Sequence, residues 1–249
     1  TALRRLFLRW VCRHVDVALY VGQNNRAYFE AHGLSDEQLA WVPHAVENER
    51  FKNRPAADRE AQKWRRELEI PDDAVVILFA GKFEPKKAPD TLLDAFRGYE
   101  NEKAHLAFAG SGPMEDELRG RVEERSDVHF LGFQNQSRMP VVYRLGDVFV
   151  LPSRGPGETW GLAVNEAMAC GRPVVVTTKV GCAPDLVDEA NGRIVSSEDP
   201  HALREALDGL LRDQEQLPAM GNSSAKRIQN WSIEIATDRT VSAVRSSLR

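Results

Sequence analysis

The chain alternates short apolar runs with longer amphipathic segments from residue 73 onward, and this alternation limits the fold more than any other feature. Several runs are continuously apolar, which is typical of strands that are covered on both faces. Strands that alternate with helices at this spacing form right-handed βαβ units and a parallel sheet. The predicted strands span 74–80, 105–109, 128–131, 147–151, 173–177 and 192–196.

The segments between these strands are predicted to be helices. They span about 89–99, 113–125, 137–145, 160–170 and 183–188, and three more helices are predicted at 200–213, 217–229 and 232–248. The sequence therefore predicts an α/β fold, with a Rossmann-like parallel sheet and helices on both of its faces.

The first 70 residues are organised differently. Five apolar side chains from Leu3 to Val11 recur at helical spacing, and they are followed by a predicted strand (15–21), a helix (24–32) and a second strand (39–43). One such unit is too small to form its own core, so we expect residues 1–43 to be the end of a larger domain whose beginning is absent. The polar, loop-like residues 44–57 are the expected boundary between domains.

The composition narrows the class of function. A net charge of −4 favours neither nucleic-acid binding nor general membrane affinity. The cysteines are three in number and widely spaced, which favours reduced thiols in a cytoplasmic protein. No Cys-x-x-Cys or His-x-x-x-His pattern predicts a metal site, and no apolar run is long enough to span a bilayer.

The stretch from Glu158 to Gly171 carries the sharpest functional signal. Glu158 lies in the predicted loop before a helix, and Glu166 lies inside that helix with seven residues between the two acids. The start of the helix between them has free N–H groups and the positive end of a helix dipole, which suit a phosphate. A phosphate cradle with two flanking carboxylates suits a sugar nucleotide, because carboxylates accept hydrogen bonds from sugar hydroxyls.

Basic and glycine-rich turns follow three of the predicted strands, where ligands bind in such sheets. Lys82, together with Lys86 or Lys87, is placed to face a diphosphate, although this segment by itself also fits a solvated basic loop. The other two turns contain Gly110-Ser-Gly112 and Gly132-Phe133, where glycine lets the main chain approach a ligand closely. Taken alone, the Gly110 turn fits a plain tight turn better than a ligand site, and the Gly132 turn is equally consistent with a plain loop.

Together these residues resemble the C-terminal, donor-binding half of a GT-B glycosyltransferase, in the retaining group (family 4) that includes bacterial mannosyl- and glucosyltransferases. The resemblance covers roughly residues 15–249. The matching segments are Gly81-Lys82 with Lys87, Gly110-Ser-Gly-Pro113, Leu131-Gly-Phe133, the pair Glu158 and Glu166 running into Gly171, and Gly181-Cys-Ala-Pro-Asp185.

The resemblance implies catalytic roles for three side chains. Lys82 and Lys87 would neutralise the diphosphate leaving group, and Glu158 would bind hydroxyls of the transferred sugar. Lys82 stands where the family usually has Arg, which keeps the charge but loses the bidentate guanidinium. Cys182 replaces the family's second glycine in the 181–185 turn.

The resemblance also implies a donor-binding set. Glu166 would bind the ribose, and backbone N–H groups of three residues would hold the β-phosphate. The backbone of Gly132 and Phe133 would contact the base. The complete expected donor-binding set is Gly81, Gly110, Gly112, Gly132, Phe133, Trp160, Gly161, Leu162 and Glu166.

By this resemblance, residues 58–231 are the donor-binding domain and 232–249 the C-terminal cross-over helix, with 1–43 a remnant of the N-terminal acceptor domain and 44–57 a linker. The implied reaction is retaining transfer of a sugar from a nucleotide diphosphate to a glycan, lipid or small-molecule acceptor, without a cofactor or metal. A non-catalytic sugar-nucleotide-binding module, and another GT-B enzyme such as a UDP-sugar epimerase or a phosphorylase, are the alternatives.

The expected partners are a nucleotide sugar, a glycosyl acceptor and the missing N-terminal domain. The first helix also carries Arg4, Arg5, Arg9 and Arg13. Its apolar face is expected to pack on the missing domain, and peripheral contact with the inner face of the membrane is the alternative.

Overall fold

A computed structural model describes residues 2–52, 54–97, 103–122 and 125–248. The strands are β1 (Ala18–Tyr20), β2 (Leu39–Trp41), β3 (Val75–Ala80), β4 (Ala104–Ala109), β5 (Val128–Gly132), β6 (Val148–Leu151), β7 (Val174–Thr177) and β8 (Gly192–Val195). The helices are α1 (Ala2–Cys12), α2 (Gln23–Ala31), α3 (Asn48–Phe51), α4 (Pro55–Glu67), α5 (Pro89–Phe96), α6 (Glu115–Gly120), α7 (Met139–Leu145), α8 (Leu162–Ala169), α9 (Ala183–Leu186), α10 (Pro200–Arg212), α11 (Leu217–Arg227) and α12 (Ile233–Ser247).

The chain divides into two compact units. The smaller unit combines residues 1–47 with 230–249, and the larger unit contains residues 48–229. The functional assignment of the four predicted segments, including the acceptor-domain remnant and the cross-over helix, stays a prediction.

The larger unit is built on a six-stranded, fully parallel sheet with strand order β5-β4-β3-β6-β7-β8. On one face, Ile77 and Phe79 of β3 pack with Leu92 of α5 and Leu207 of α10 in a continuous core. On the opposite face, the ring of Tyr143 from α7 meets Phe149 of β6. The predicted Rossmann-like sheet with helices on both faces is therefore confirmed.

The six strands of this sheet lie within one or two residues of their predicted bounds, because each is a continuous apolar run. All six residues of β3 are buried, and so are all six of β4. Strands with both faces covered lose the polar alternation of a half-exposed strand, and the apolar run itself marks them.

The helices differ from prediction in two ways. The loop-like interpretation of 44–57 is wrong in part, because α3 lies within it and α4 begins at Pro55. Helix α4 is strongly polar on average, and its buried residues are only Ala57 and Ala61, so the apolar residues that do recur at helical spacing (Ala57, Ala61 and Trp64) are few and mostly small. Helices α5 and α6 end before the predicted positions 99 and 125, and residues 98–99 and 123–124 lie outside the described ranges.

A bulge at the end of β5 shapes one edge of the sheet. Phe108 pairs with Phe130, whereas the next residue, Ala109, pairs with Gly132, so Leu131 has no opposite residue. Gly132 has φ +64°, a left-handed conformation that glycine adopts without steric cost. The bulge turns the chain at the carboxyl end of β5, where the predicted site lies.

In the smaller unit, β1 and β2 pair in parallel, and Trp231 before α12 packs edge-on against Trp41 at 5.9 Å between ring centroids. The apolar side chains of α1 are exposed, from 37% for Val11 to 79% for Leu3. The predicted partners of this face, a missing domain or a membrane surface, stay predictions. Over the described ranges, no helix combines the length and the apolar character that crossing a membrane requires.

Candidate functional site

Backbone hydrogen bonds hold the carboxyl ends of β3, β4 and β5 close together. The Gly81 N–H donates to Ala109 O, and the Gly110 N–H donates to Gly132 O, each at 2.9 Å. A Cβ atom at Gly110 would lie 1.9 Å from Gly81 O, so no larger residue fits there without moving the backbone. The glycine turns predicted from the sequence therefore pack against one another at the sheet edge.

A cavity of about 590 Å³ opens beside these turns. Polar groups enter it from several elements, among them Lys82 after β3, Ser111 after β4 and Glu166 of α8. Most of the remaining lining is apolar or glycine backbone, which is typical of ligand pockets with a few orienting polar groups. The predicted site residues that line it are Gly81, Lys82, Gly110, Gly112, Phe133, Leu162 and Glu166.

Helix α8 begins at the edge of this cavity. Gly161 precedes it with φ +101° and makes no side-chain cap, while the Val164 N–H donates to Gly161 O at 2.8 Å. The N–H groups of Leu162 and Ala163 begin the helix without a side-chain cap from Gly161, and their predicted contact with a phosphate stays a prediction. The predicted start at residue 160 is two residues early, because Trp160 lies in the preceding loop.

Trp160 itself is buried, with 3% of its surface exposed. Its indole N–H donates to Asn165 Oδ1 at 2.9 Å, which ties the loop to the second turn of α8. The side chain of Trp160 therefore anchors the start of the helix, and the predicted phosphate contact through its backbone stays a prediction.

Glu158 is engaged within the protein. Its Oε2 atom contacts Lys87 Nζ and accepts a hydrogen bond from Ser153 Oγ at 3.0 Å. The ion pair is mostly buried, with 18% of the Lys87 side chain and 8% of the Glu158 side chain exposed. The structure thus brings two predicted catalytic residues together, although neither lines the cavity beside Glu166.

Arg154 fixes the loop that carries Glu158 against the turn that carries Lys87. Its backbone N–H donates to Lys86 O at 3.0 Å, and its guanidinium donates to both carboxylate oxygens of Asp90 at 2.6 and 2.7 Å. Asp90 lies in the first turn of α5, directly after the lysine turn. Arg154 thereby restrains the separation of Lys87 and Glu158.

The remaining lysines of this turn are more exposed. Lys82, whose side chain is 66% exposed, lies 3.8 Å from Glu84, and Lys86 lies 3.3 Å from the same residue. Of the lysines considered in the sequence, Lys82 faces the cavity and Lys87 faces Glu158.

Glu166 has surroundings unlike those of Glu158. Its Oε2 atom accepts a hydrogen bond from the Tyr143 hydroxyl at 2.7 Å. Burial raises the pKa of the Glu166 carboxyl, while the Tyr143 hydrogen bond and the charge of Arg50 act in the opposite direction. The glutamate on a mostly apolar helix therefore has a partner inside the protein, and it also faces the cavity.

Tyr143 and Arg50 are site residues that sequence reasoning missed. Tyr143 lies on an apolar helix and fits an ordinary core aromatic in the sequence. Arg50 lies in the segment interpreted as a linker, yet its guanidinium donates to Gln136 O at the cavity wall. In the sequence, only its hydroxyl group distinguishes Tyr143 from the other aromatic residues of the core. No residue near Arg50 in the sequence marks it as a site residue.

Backbone hydrogen bonds from Gly181 and Cys182 hold the loop that contains Glu158 and Trp160. The Gly181 N–H donates to Glu158 O at 3.1 Å, and the Cys182 N–H donates to Trp160 O at 2.9 Å. Burial raises the pKa of the Cys182 thiol well above its ordinary value, which keeps it protonated and unreactive. The turn is thus a structural support of the loop.

Within the described ranges, no group of three His, Cys, Asp or Glu side chains is arranged to hold a metal ion. The charged groups at the cavity and beside it include Lys82, Lys87, Glu158 and Glu166. They can bind an anion through amines and amides, and hydroxyl groups through carboxylates.

Known proteins resemble this chain in sequence and in fold. A mannosyltransferase of Corynebacterium glutamicum, described as GDP-mannose-dependent and acting on a monoacylated phosphatidylinositol monomannoside, is 31% identical over 98% of this chain and 66% of its own length. A D-inositol 3-phosphate glycosyltransferase of Catenulispora acidiphila is 32% identical over 84% of this chain and 51% of its own length. The chain thus spans less than two thirds of either relative.

A solved structure gives the fold independently. The structure of HepE of Anabaena, crystallised with UDP and glucose, superposes on 97% of this chain and on 66% of the HepE chain. The TM-score is 0.81 and the sequence identity is 19%. At that identity the likeness shows the GT-B fold alone. Residues 60–227 match the family described as glycosyl transferases group 1, and this chain belongs to that family.

Proposed function

We propose that this chain is the donor-binding part of a retaining glycosyltransferase and binds a nucleotide-diphosphate sugar in the 590 Å³ cavity. The observation that carries the proposal is the meeting of Glu166, Lys82 and the uncapped start of α8 at the carboxyl ends of β3 and β4. A carboxylate for ribose hydroxyls and cationic and amide donors for phosphates then face one space.

The proposed chemistry is stabilisation of the leaving diphosphate. Lys82, Lys87 and the first N–H groups of α8 supply positive charge where negative charge develops as the sugar–phosphate bond breaks. Glu158 binds hydroxyls of the transferred sugar, and the nucleophilic acceptor attacks from the face that the diphosphate leaves. Neither a metal nor a cofactor takes part in this scheme.

The donor is the first property to test. The GDP-mannose dependence of the Corynebacterium relative supports a guanine nucleotide, whereas UDP in the Anabaena structure supports a uracil nucleotide. Calorimetric titration with GDP, UDP, ADP and dTDP, and then with the sugar derivatives of whichever binds, decides between them. Failure of all four diphosphates to bind at millimolar concentration would refute the proposal.

The acceptor and the whole reaction require more than this chain. Both curated relatives are longer than the part they share with it. We propose that a further N-terminal domain binds the acceptor and that residues 1–249 alone bind the donor but transfer sugar poorly. Ordinary turnover by these residues with a defined acceptor would contradict the second half of this proposal.

A further inference from the structure

Tyr143 is held rigidly beneath the cavity. It is 1% exposed. Its ring meets those of Phe51 and Phe149 edge-on, with centroid separations of 6.1 and 5.6 Å. Aromatic neighbours on two sides leave the phenol ring little freedom to turn, so its hydroxyl occupies a fixed point.

That fixed hydroxyl reaches one oxygen of Glu166. It donates to Oε2 at 2.7 Å, and among the described residues it is the one side chain that hydrogen-bonds to this carboxylate. Oε1 is therefore left for a ligand in the cavity, which Glu166 and Tyr143 both line. A carboxylate on a flexible glutamate side chain loses rotational entropy when it binds a ligand, and a hydrogen bond already made in the free protein reduces that cost.

We propose that Tyr143 is a positioning residue for the nucleotide, holding Glu166 so that its carboxylate presents Oε1 to the ribose hydroxyls. This inference rests on the proposed function, because it assigns Tyr143 a part in the same donor site. Tyr143 makes no contact with the transferred sugar or the diphosphate in this scheme, and it acts only through Glu166.

The charges around Glu166 determine how the effect depends on pH. Tyr143 on α7 and Arg50 on α3 favour its ionised form, burial opposes it, and Cys170 directly follows the last residue of the same helix. Lys82 lines the same cavity. Loss of the Tyr143 hydroxyl removes a group that lowers the pKa of Glu166, so the carboxyl would take up a proton at higher pH and lose its ability to accept from two hydroxyls.

The test uses Tyr143→Phe, which keeps the ring and removes only the hydroxyl. GDP, UDP and their 2′-deoxyribose forms are titrated by calorimetry from pH 4.5 to 8. We expect Tyr143→Phe to weaken binding of the ribose nucleotide about twofold to tenfold, the range for one hydrogen bond, and to reduce the preference for ribose over deoxyribose. The midpoint of the acid-side loss of affinity moves to higher pH.

A double-mutant cycle separates positioning from a general structural role. Glu166→Ala and Glu166→Ala combined with Tyr143→Phe are expected to bind equally, because Tyr143 acts through Glu166. Tyr28→Phe, at an exposed tyrosine of the smaller unit, is the matched control and leaves binding unchanged.

Three results would overturn the inference. Unchanged affinity, ribose preference and pH midpoint in Tyr143→Phe would refute it while leaving the proposed function in place, provided that Glu166→Ala still loses binding. Equal loss for ribose and deoxyribose forms would show a structural effect only. Binding of no nucleotide by the unsubstituted chain would refute the proposed function, and this inference with it.

Discussion

Glu158 and Glu166 flank the start of the same helix, yet the protein treats them in opposite ways. Glu158 is neutralised by the mostly buried Lys87 and also accepts from Ser153. Glu166 has only a neutral hydroxyl as its direct hydrogen-bonding partner among the described residues. One acid is thus part of an ion pair before any ligand arrives, and the other keeps an oxygen open to the cavity.

This difference separates two tasks in the proposed site. An anionic diphosphate that binds Lys87 competes with Glu158 for the same amine, so donor binding would loosen the ion pair and release Glu158 toward the sugar. Glu166 needs no such exchange. We therefore expect substitutions in the Lys87–Glu158 ion pair to change the free energy of unfolding most. Substitutions at Glu166 are expected to change nucleotide affinity most.

Removing Lys87 should have the largest effect on stability. Lys87→Ala leaves the buried Glu158 charge without its ion-pair partner, and loss of one partner of a buried pair costs about 3–5 kcal/mol, somewhat less here because Lys87 is partly exposed. Urea unfolding monitored by circular dichroism measures the cost. Lys63→Ala, in an exposed pair with Glu67, is the control and should cost less than about 1 kcal/mol. Equal costs for the two variants would show that the Lys87–Glu158 pair stabilises the fold no more than an exposed pair does.

Replacing Glu166 should mainly change nucleotide binding. Glu166→Gln keeps the size of the side chain and an oxygen that can accept from Tyr143, but it removes the charge. Loss of a charged hydrogen bond to ribose costs about 1.5–3 kcal/mol, or about tenfold to a hundredfold in Kd by calorimetry.

Glu205→Gln, an exposed position of α10, is the control for this substitution and should leave Kd unchanged. An unchanged Kd in Glu166→Gln as well would count against the assignment of Glu166 to the ribose.

The pH dependence of stability offers a smaller and more specific test. Because burial raises the pKa of Glu166, the folded state holds this proton more tightly than the unfolded state does. The stability that the protonated Glu166 carboxyl contributes is complete below the pKa of this group in the unfolded chain. It is lost as the pH rises through the raised pKa of the folded state. Glu166→Gln should therefore gain stability relative to the unsubstituted chain as the pH rises through this window. Urea unfolding at a series of pH values would show parallel curves if the pKa were not raised.

Lys82 should give the smallest change. Its side chain is 66% exposed, so its attraction for a diphosphate is screened by solvent and salt. Lys82→Met is expected to weaken nucleotide binding no more than about fivefold at low salt, with the difference shrinking as salt is added. Lys226→Met on α11, away from the cavity, should change nothing. A loss for Lys82→Met that is large and independent of salt would show that Lys82 is buried against the diphosphate in the complex.

Much of this architecture could be read from local patterns. The strands of the parallel sheet are continuous apolar runs, so their positions and type follow from residues that lie next to one another in the chain. Most of the predicted site residues lie in the turns that follow these runs. Parallel strands all end at the same edge of a sheet, and this edge brings Glu166, Lys82 and the glycine turns to one cavity.

The polar helix α4 shows where local patterns fail. It buries two alanines of its 13 residues, and much of its packing consists of long polar side chains. Arg65 donates to Leu145 O at 2.9 Å, and Trp64 stacks beneath Arg138 with the guanidinium 4.3 Å from the ring centroid. Such contacts join residues more than 70 positions apart, and no periodicity within 55–67 records them.

The sequence by itself determined the parallel α/β sheet and the set of acids, amines and glycines at its carboxyl edge, because apolar runs and turn residues act over a few positions. The tertiary structure alone decided that Lys87 neutralises Glu158 and that Tyr143 holds Glu166. Both pairs join side chains from separate elements, and the energy of an ion pair or a buried hydrogen bond depends on distance and burial that only the packed fold supplies.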